Sequence, residues 1–257
     1  MVKAVFIDFD STLYSHFTNC VPESTAKAIN EARKNGVKIF ICSGRSLFEL
    51  DQFDLSSITI DGYILNNGQV IYDQNKQKVF DNPLTGELYN KILELYNAKN
   101  VPIFLHTEFS IFTNFVNEKV ETIQKRVDSE IPMIKEYEGE KVYMISSFYT
   151  EHEDWQTMKN LQSIANITFW QDGAINVFPK TSSKAIGARK VIDMLGIKQE
   201  ETMGIGDSEN DVDMLKFCNI SVAVGNAIDE IKEIADYVTD HIESNGIYNA
   251  LKHYNVI

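Results

Sequence analysis

Hydrophobic residues are spread along this chain in two textures. Near the amino terminus, Ala4-Val5-Phe6-Ile7 is an unbroken apolar run, and Val37-Lys38-Ile39-Phe40-Ile41-Cys42 is nearly one. Such runs predict strands buried on both faces of a parallel sheet. Between them, residues 22–34 predict a helix, with Pro22 near its start and Gly36 just past its end. Strand, helix and strand in this order predict a βαβ unit with parallel strands and a right-handed crossover. A short helix is predicted from Ser46 to about Gln52 and a strand over 61–66. Asn67-Gly68 is a hairpin turn signal, with partner strands over 69–72 and 78–80.

From Asn82-Pro83 to about Phe178 the texture changes. Helices are predicted over 85–98, 117–129 and 154–164, and strands over 103–106, 141–149, 167–171 and 174–178. These strands alternate more, which predicts a half-exposed antiparallel sheet. The buried pattern returns at Ser182. A helix over 183–195 stops at Gly196, and strands over 202–206, 220–224 and 237–238 are interleaved with helices to about 217, over 228–235 and over 244–253. The expected fold class is α/β. A doubly wound, Rossmann-like parallel sheet is formed by residues 1–81 plus 179–257, with an α+β domain inserted over 82–178.

Composition narrows the partners. A net charge of −13 argues against nucleic acid or an anionic membrane, since both need a basic face. It suits a divalent cation without requiring one. Cys20, Cys42 and Cys218 are odd in number and lack metal-ligand spacing, which points to a reduced compartment. The first strand begins at once and no apolar run is long enough to span a membrane. A cytoplasmic protein, monomeric or weakly dimeric, is expected.

The first strand ends in Asp8 and Asp10, followed by Ser11 and Thr12. In open α/β sheets ligands bind beyond the carboxyl ends of the strands. Two carboxylates so close repel unless a cation is near. The pattern is a metal-assisted site with one nucleophilic carboxylate, or a solvated turn with an Asp helix cap. Asp-x-Asp-x-Thr alone is weak, arising by chance in about one chain in twenty-five of this length. Gly206-Asp207-Ser208-Glu209-Asn210-Asp211 carries more weight. It too joins a buried strand to a helix, and its Gly-Asp-x-x-Asn-Asp core arises by chance in well under about one chain in a hundred. Asp8, Asp10 and Asp207 together would suit Mg²⁺. Lys184 begins a predicted helix, where the dipole disfavours a cation unless an anion lies close. Asp211 or a bound phosphate would supply one, although most lone lysines are simply solvated. Ser43-Gly44 offers a hydroxyl and a backbone N–H, or is a routine turn.

Asp8-Phe9-Asp10-Ser11-Thr12, Ser43-Gly44-Arg45, Lys184 and Gly206 to Asp211 resemble, in order, the four motifs of the haloacid dehalogenase superfamily. The long insertion, and the stretch from Asp61-Gly62-Tyr63-Ile64 to Asn67-Gly68, resemble its Cof-type phosphatase branch, subfamily IIB. The resemblance implies a Mg²⁺-dependent phosphatase of small phosphorylated metabolites, most simply sugar phosphates. Asp8 would be the nucleophile and a metal ligand. Asp10 would be the acid and base, its carbonyl binding the metal. Asp207 would be the third ligand. Asp211 would orient a metal-bound water or pair with Lys184. The Phe9 amide, Ser43, Gly44, Lys184 and Asn210 would hold the phosphoryl group. The insertion would be a cap that selects the leaving group, with His106, Glu108, His152, Trp155 and Trp170 as candidates, although such residues more often serve packing or lie on the surface. The alternatives are a phosphosugar mutase, which needs a second phosphate site that no dense Arg/Lys cluster supplies, and a non-catalytic phosphate sensor. One departure is visible. The family usually has Gly where this chain has Ser11, which carries a cost if φ is positive there.

Overall fold

In a computed structural model of the protein, β1 (Ala4–Asp8) is buried along its whole length, as its apolar run requires. The structure describes all residues but Asp128, Thr150 and Glu151, and the side chains of all but these and His152, Glu153, Asp154 and Gln171. After β1 come α1 (Glu23–Lys34), β2 (Lys38–Cys42), the one-turn α2 (Leu47–Leu50), β3 (Gly62–Leu65), β4 (Val70–Asp73) and β5 (Lys78–Asp81). The middle of the chain forms α3 (Gly86–Ala98), β6 (Ile103–Thr107), β7 (Ile111–Thr113), α4 (Glu118–Arg126), β8 (Met133–Ile134), β9 (Val142–Phe148), α5 (His152–Lys159), β10 (Ala165–Gln171) and β11 (Ala174–Pro179). The last third forms α6 (Lys184–Leu195), β12 (Thr202–Gly206), α7 (Val212–Phe217), β13 (Ile220–Ala223), α8 (Asp229–Ile234), β14 (Tyr237–Val238) and α9 (Gly246–His253). The chain divides into two compact units, one of residues 1–45, 49–81 and 182–257, the other of 46–48 and 82–181.

The first unit holds one sheet in the order β14-β13-β12-β1-β2-β3-β4-β5. Strands from β14 to β3 run parallel, and β4 and β5 extend the sheet antiparallel. Helices α6 and α7 cover one face, packing Ala188, Val191, Met214 and Phe217 against Phe6, Phe40, Cys42 and Ile64. Successive strand residues point to opposite faces, so Val5, Ile7, Ile39 and Ile41 face the other way, and these too are fully buried. On β2 packs α1, which also lies along α9. Burying each such side chain contributes about 1.5–3 kcal/mol relative to leaving it exposed, so both faces exclude polar residues and the period-two alternation disappears from the sequence. The β3–β4 turn holds Asn66, Asn67 and Gly68 at φ of 50°, 52° and 88°, a left-handed run that asparagine and glycine tolerate best.

The second unit holds a sheet in the order β10-β11-β9-β6-β7-β8, antiparallel except where β8 joins β7. The inner strands β6 and β9 are not half-exposed as the alternation predicts but buried throughout, whereas β8 is exposed and β10 carries the exposed Phe169 and Trp170. One face packs Ile103, Leu105, Ile145 and Ile175 under Leu88, Ile92 and Met158 of α3 and α5. The other packs Phe104, Phe148 and Ala174 under Val120 and Ile123 of α4. The polar positions that produced the alternation are satisfied inside the protein rather than by water. Ser147 Oγ donates to the Pro102 carbonyl at 3.0 Å, and Ser146 Oγ to Asn176 Oδ1 at 2.7 Å. The short β7 and β8 escaped prediction because three and two residues carry no readable period.

Candidate active site

Strands β12, β1 and β2 are parallel neighbours, so their carboxyl ends bring Asp207, Asp8 and Ser43 to one edge of the sheet. Asp8 closes β1 and is 4% exposed. Lys184 opens α6, where Ser183 caps the helix by accepting the Ile186 N–H at 3.2 Å. The Lys184 side chain is wholly buried, which overturns the solvated alternative. Its Nζ donates to Asp8 Oδ1 at 2.5 Å, to Asp211 Oδ1 at 2.7 Å and to Asn210 Oδ1 at 3.2 Å. Two carboxylates thus offset the unfavourable position of a cation at a helix start. Burial alone would push the ammonium down, but Asp211 and Asp8 outweigh it and hold Lys184 well above its ordinary value.

The same crowding acts oppositely on the acids. Burial, and then Asp211, push Asp8 well above the ordinary carboxylate range despite Lys184. Burial and Asp211 likewise raise Asp207 to about 6. Asp8, Asp207 and Asp211 each offer an oxygen within 4.8 Å of the others. Three carboxylates face one ammonium in a space largely closed to water, and all the donors are oxygen. That set fits a hard divalent cation. Asp211 is the most occupied of the three. Its Oδ2 accepts the Asp207 and Ser208 amides at 3.1 Å each, while its Oδ1 accepts from Lys184. It therefore holds the loop and the lysine, and Asp8 and Asp207 retain more freedom to ligate. Thr12, which the sequence marked only as a hydroxyl, is fully buried and donates to Asp207 Oδ1 at 3.0 Å. Gly206 is needed for close approach, because a Cβ there would lie 2.6 Å from the Asp211 carboxyl carbon.

Asp10 stands apart from this cluster. Its carboxylate accepts from Arg45 Nε at 3.1 Å and 2.8 Å and from Arg45 Nη2 at 2.7 Å, and lies 2.6 Å from His16 Nε2. Burial opposes ionisation, but the hydrogen bond from His16 and the Arg45 guanidinium hold the carboxyl well below the usual range. Two aspartates two positions apart are thus driven in opposite directions, Asp8 toward the proton and Asp10 away from it. Between them Phe9 is fully buried, its carbonyl accepting the Leu13 and Tyr14 amides at 3.1 Å and 2.8 Å. Ser11 sits at φ 60°, so the Cβ that replaces the family's usual glycine is in the left-handed region. Its carbonyl accepts from Asn226 Nδ2 at 2.7 Å.

Ser43 and Asn210 join the same edge. Ser43 is buried, and its Oγ accepts the Arg45 amide at 3.1 Å. Asn67, read from the sequence only as a turn residue, ties the segments together. Its amide donates to the Ser43 carbonyl at 3.0 Å and its carbonyl accepts from Ser182 Oγ at 2.9 Å. Its Oδ1 accepts from Asn210 Nδ2 at 3.3 Å, and its carboxamide lies 3.4 Å from where a Cβ on Gly44 would stand. Only asparagine-glycine chemistry in the turn was visible beforehand; the three partners come from 24 to 143 positions away. In the second unit, His106 is buried and hydrogen-bonded to Ser146, which donates to Asn176. Trp155 packs between Tyr149 and Phe169, and Trp170 meets the Phe148 edge. Glu108 follows β6, half-buried. His152 lies outside the described residues as a side chain.

A model of the haloacid dehalogenase-like hydrolase family matches residues 5–251. The chain belongs to this family. A Bacillus subtilis (strain 168) protein provisionally named phosphatase YkrA is 30% identical over 259 residues, covering 99% of this chain and 98% of that one. Among solved structures, the phosphatase BT1666 of Bacteroides thetaiotaomicron superposes with a TM-score of 0.92 at 29% identity, covering 100% of this chain and 96% of that one. The subclass IIB sugar phosphatase BT4131 superposes with a TM-score of 0.83 at 32% identity, each chain covered in full. The protein is accordingly a haloacid dehalogenase-type phosphatase of the Cof-like branch, a phosphoric monoester hydrolase. Among the described residues no helix is long and apolar enough to cross a membrane.

Proposed function

We propose that this phosphatase hydrolyses small phosphorylated metabolites, sugar phosphates first among them, with Mg²⁺ and through an aspartyl-phosphate on Asp8. The observation that carries the reading is the Asp8 carboxylate at a buried strand end, bonded to a buried Lys184 and crowded by Asp207 and Asp211. A bound Mg²⁺, held by Asp8, Asp207 and the Asp10 carbonyl, would offset negative charge on the carboxylates and the phosphoryl oxygens. An Asp8 oxygen attacks phosphorus while the bond to the leaving oxygen breaks, and that oxygen takes a proton from Asp10, which must first take one up because Arg45 and His16 favour its ionised form. Water then attacks phosphorus, gives its proton to Asp10, and the phosphorus–Asp8 bond breaks. Lys184, Ser43, Asn210, and the amides of Phe9 and Gly44 are assigned to the phosphoryl oxygens, and Asp211 to holding Lys184. Phosphate monoesters hydrolyse so slowly unaided that accelerations up to ~10²¹ are known, so charge neutralisation has to be thorough, and splitting the reaction through a covalent intermediate helps.

Residues 82–178 are assigned the cap, which selects the leaving group. The sugar named for BT4131 supports this substrate class for a chain 32% identical to it. Phosphate release from a panel of phosphorylated metabolites, with Mg²⁺ and with excess EDTA, tests the reading. Turnover that survives EDTA removes the metal. An Asp10→Asn variant mixed with an aryl phosphate should carry a phosphoryl adduct by intact mass, and Asp8→Asn none. The reverse pattern exchanges the two roles.

A further inference from the structure

Asp10 is gripped from two directions. Arg45, just beyond β2, reaches both of its oxygens, and His16, from the loop after β1, reaches Oδ1 at 2.6 Å. His16 is itself seated by aromatic rings. It meets Tyr14 edge-on at 5.4 Å and Phe53 at 6.2 Å, and those two rings lie 4.8 Å apart. The Arg45 guanidinium rests 4.9 Å from the Phe53 centroid. One aromatic cluster therefore places both donors. A guanidinium alone permits the carboxylate to slide and rock along its edge. A second donor from a separate segment, aimed at one oxygen, removes that freedom.

We infer that His16 is a positioning residue for Asp10, holding its carboxylate where it exchanges a proton with the leaving oxygen and with the attacking water. This rests on the assignment of Asp10 as the proton-transferring group. Nothing in the Asp-x-Asp-x-Thr motif requires a histidine at 16. The residue acts only through Asp10 and touches no other polar group of the site among the contacts described above. Proton transfer by a placed side chain is worth about 10²–10⁴-fold in rate, and misplacement forfeits part of that.

The test uses His16→Phe, which keeps a ring beside Tyr14 and Phe53 but has no donor, and His16→Gln, which restores an N–H. Substrates are glycerol phosphate, whose alkoxide needs a proton, and p-nitrophenyl phosphate, whose leaving group does not. For His16→Phe we expect kcat on glycerol phosphate to fall about tenfold with KM within about twofold of wild type. On p-nitrophenyl phosphate the initial burst should keep its rate while the steady state slows, so that phosphoenzyme accumulates by intact mass. His16→Gln should recover most of the loss, and both variants should melt at the wild-type temperature. An unchanged kcat on glycerol phosphate, a change confined to KM, a burst slowed along with the steady state, or no recovery by His16→Gln overturns the inference. A wild-type enzyme with neither burst nor phosphoenzyme removes instead the mechanism on which it rests.

Discussion

Replacing Lys184 by Met tests the electrostatic account of the site most directly. The side chain is wholly buried, and its two carboxylate partners are 6% and 0% exposed. Methionine keeps much of the volume and removes the charge. Asp8 and Asp211 are then buried beside each other and Asp207 without a cation. Removing one partner of a buried ion pair costs about 3–5 kcal/mol. For a chain of this size each kcal/mol lowers the melting temperature by about 2–4 °C, so a fall of roughly 10 °C is expected in EDTA. The carboxylates can relieve the repulsion by taking up protons, so the loss should shrink as pH falls toward about 5. A second change, Asp211→Asn, removes one of the stranded charges and should return about a third to a half of the stability. Thermal unfolding of the wild type, Lys184→Met and the double variant, in EDTA at about pH 5 and pH 7, measures all of this. Activity should fall by about 10²–10³-fold, the scale for one charged contact in a transition state. A Lys184→Met protein that melts with the wild type, or that loses as much stability at low pH as at neutral pH, would refute the reasoning.

Metal-free protein should lose stability as pH rises from about 4 to 7, because the folded-state values of Asp8 and Asp207 are raised, the latter to about 6. A raised carboxyl binds its proton more tightly folded than unfolded, so its contribution is present at low pH and lost as pH climbs through the folded value. Asp10, held low, works the other way, its contribution being lost only as pH falls below about 4. Mg²⁺ should therefore raise the melting temperature more at pH 7 than at about pH 5; an equal or smaller rise at neutral pH would contradict the assigned ligands. Asn67→Gly keeps the left-handed backbone and its two main-chain bonds but deletes the bond to Asn210, and should lower kcat by about three- to tenfold, the scale of one hydrogen bond; kinetics indistinguishable from wild type would leave Asn67 as a turn residue only. Ser11→Gly relieves a left-handed Cβ worth about 1–2 kcal/mol and loosens the unfolded chain by about 0.4–1 kcal/mol, so a small net gain in melting temperature is expected, and a clear loss would mean that the serine hydroxyl has a role of its own.

The parts of this protein legible in the sequence are those where one physical cause acts locally. The unbroken runs at 4–7 and 39–41 are buried on both faces because helices cover both faces, and a two-sided strand has no alternation to hide. Once strands β1 and β12 were placed in one sheet, Asp8 and Asp207 had to share an edge. What stayed hidden depends on segments that meet only in the folded chain. The burial of Lys184 follows from the approach of α6 to the β1 end, not from its neighbours in sequence. The polar residues of β6 and β9 suggested water on one face, and only their long-range hydrogen bonds explain why none is needed.

Asp8 and Asp10 show the limit most clearly. Their spacing places both at a strand end, and nothing in the motif separates them. The fold separates them by neighbours. Asp8 receives one ammonium that Asp211 also claims, so its charge is undercompensated. Asp10 receives a guanidinium and an imidazole to itself, so its charge is compensated already. A carboxylate short of positive charge and close to other acids is the one whose pairing changes most when a divalent cation and a phosphoryl group enter. One already satisfied by donors on its own loop and the next is held in place while that happens. The different surroundings of the two aspartates therefore have their physical origin in Lys184, Arg45 and His16 rather than in the aspartates themselves.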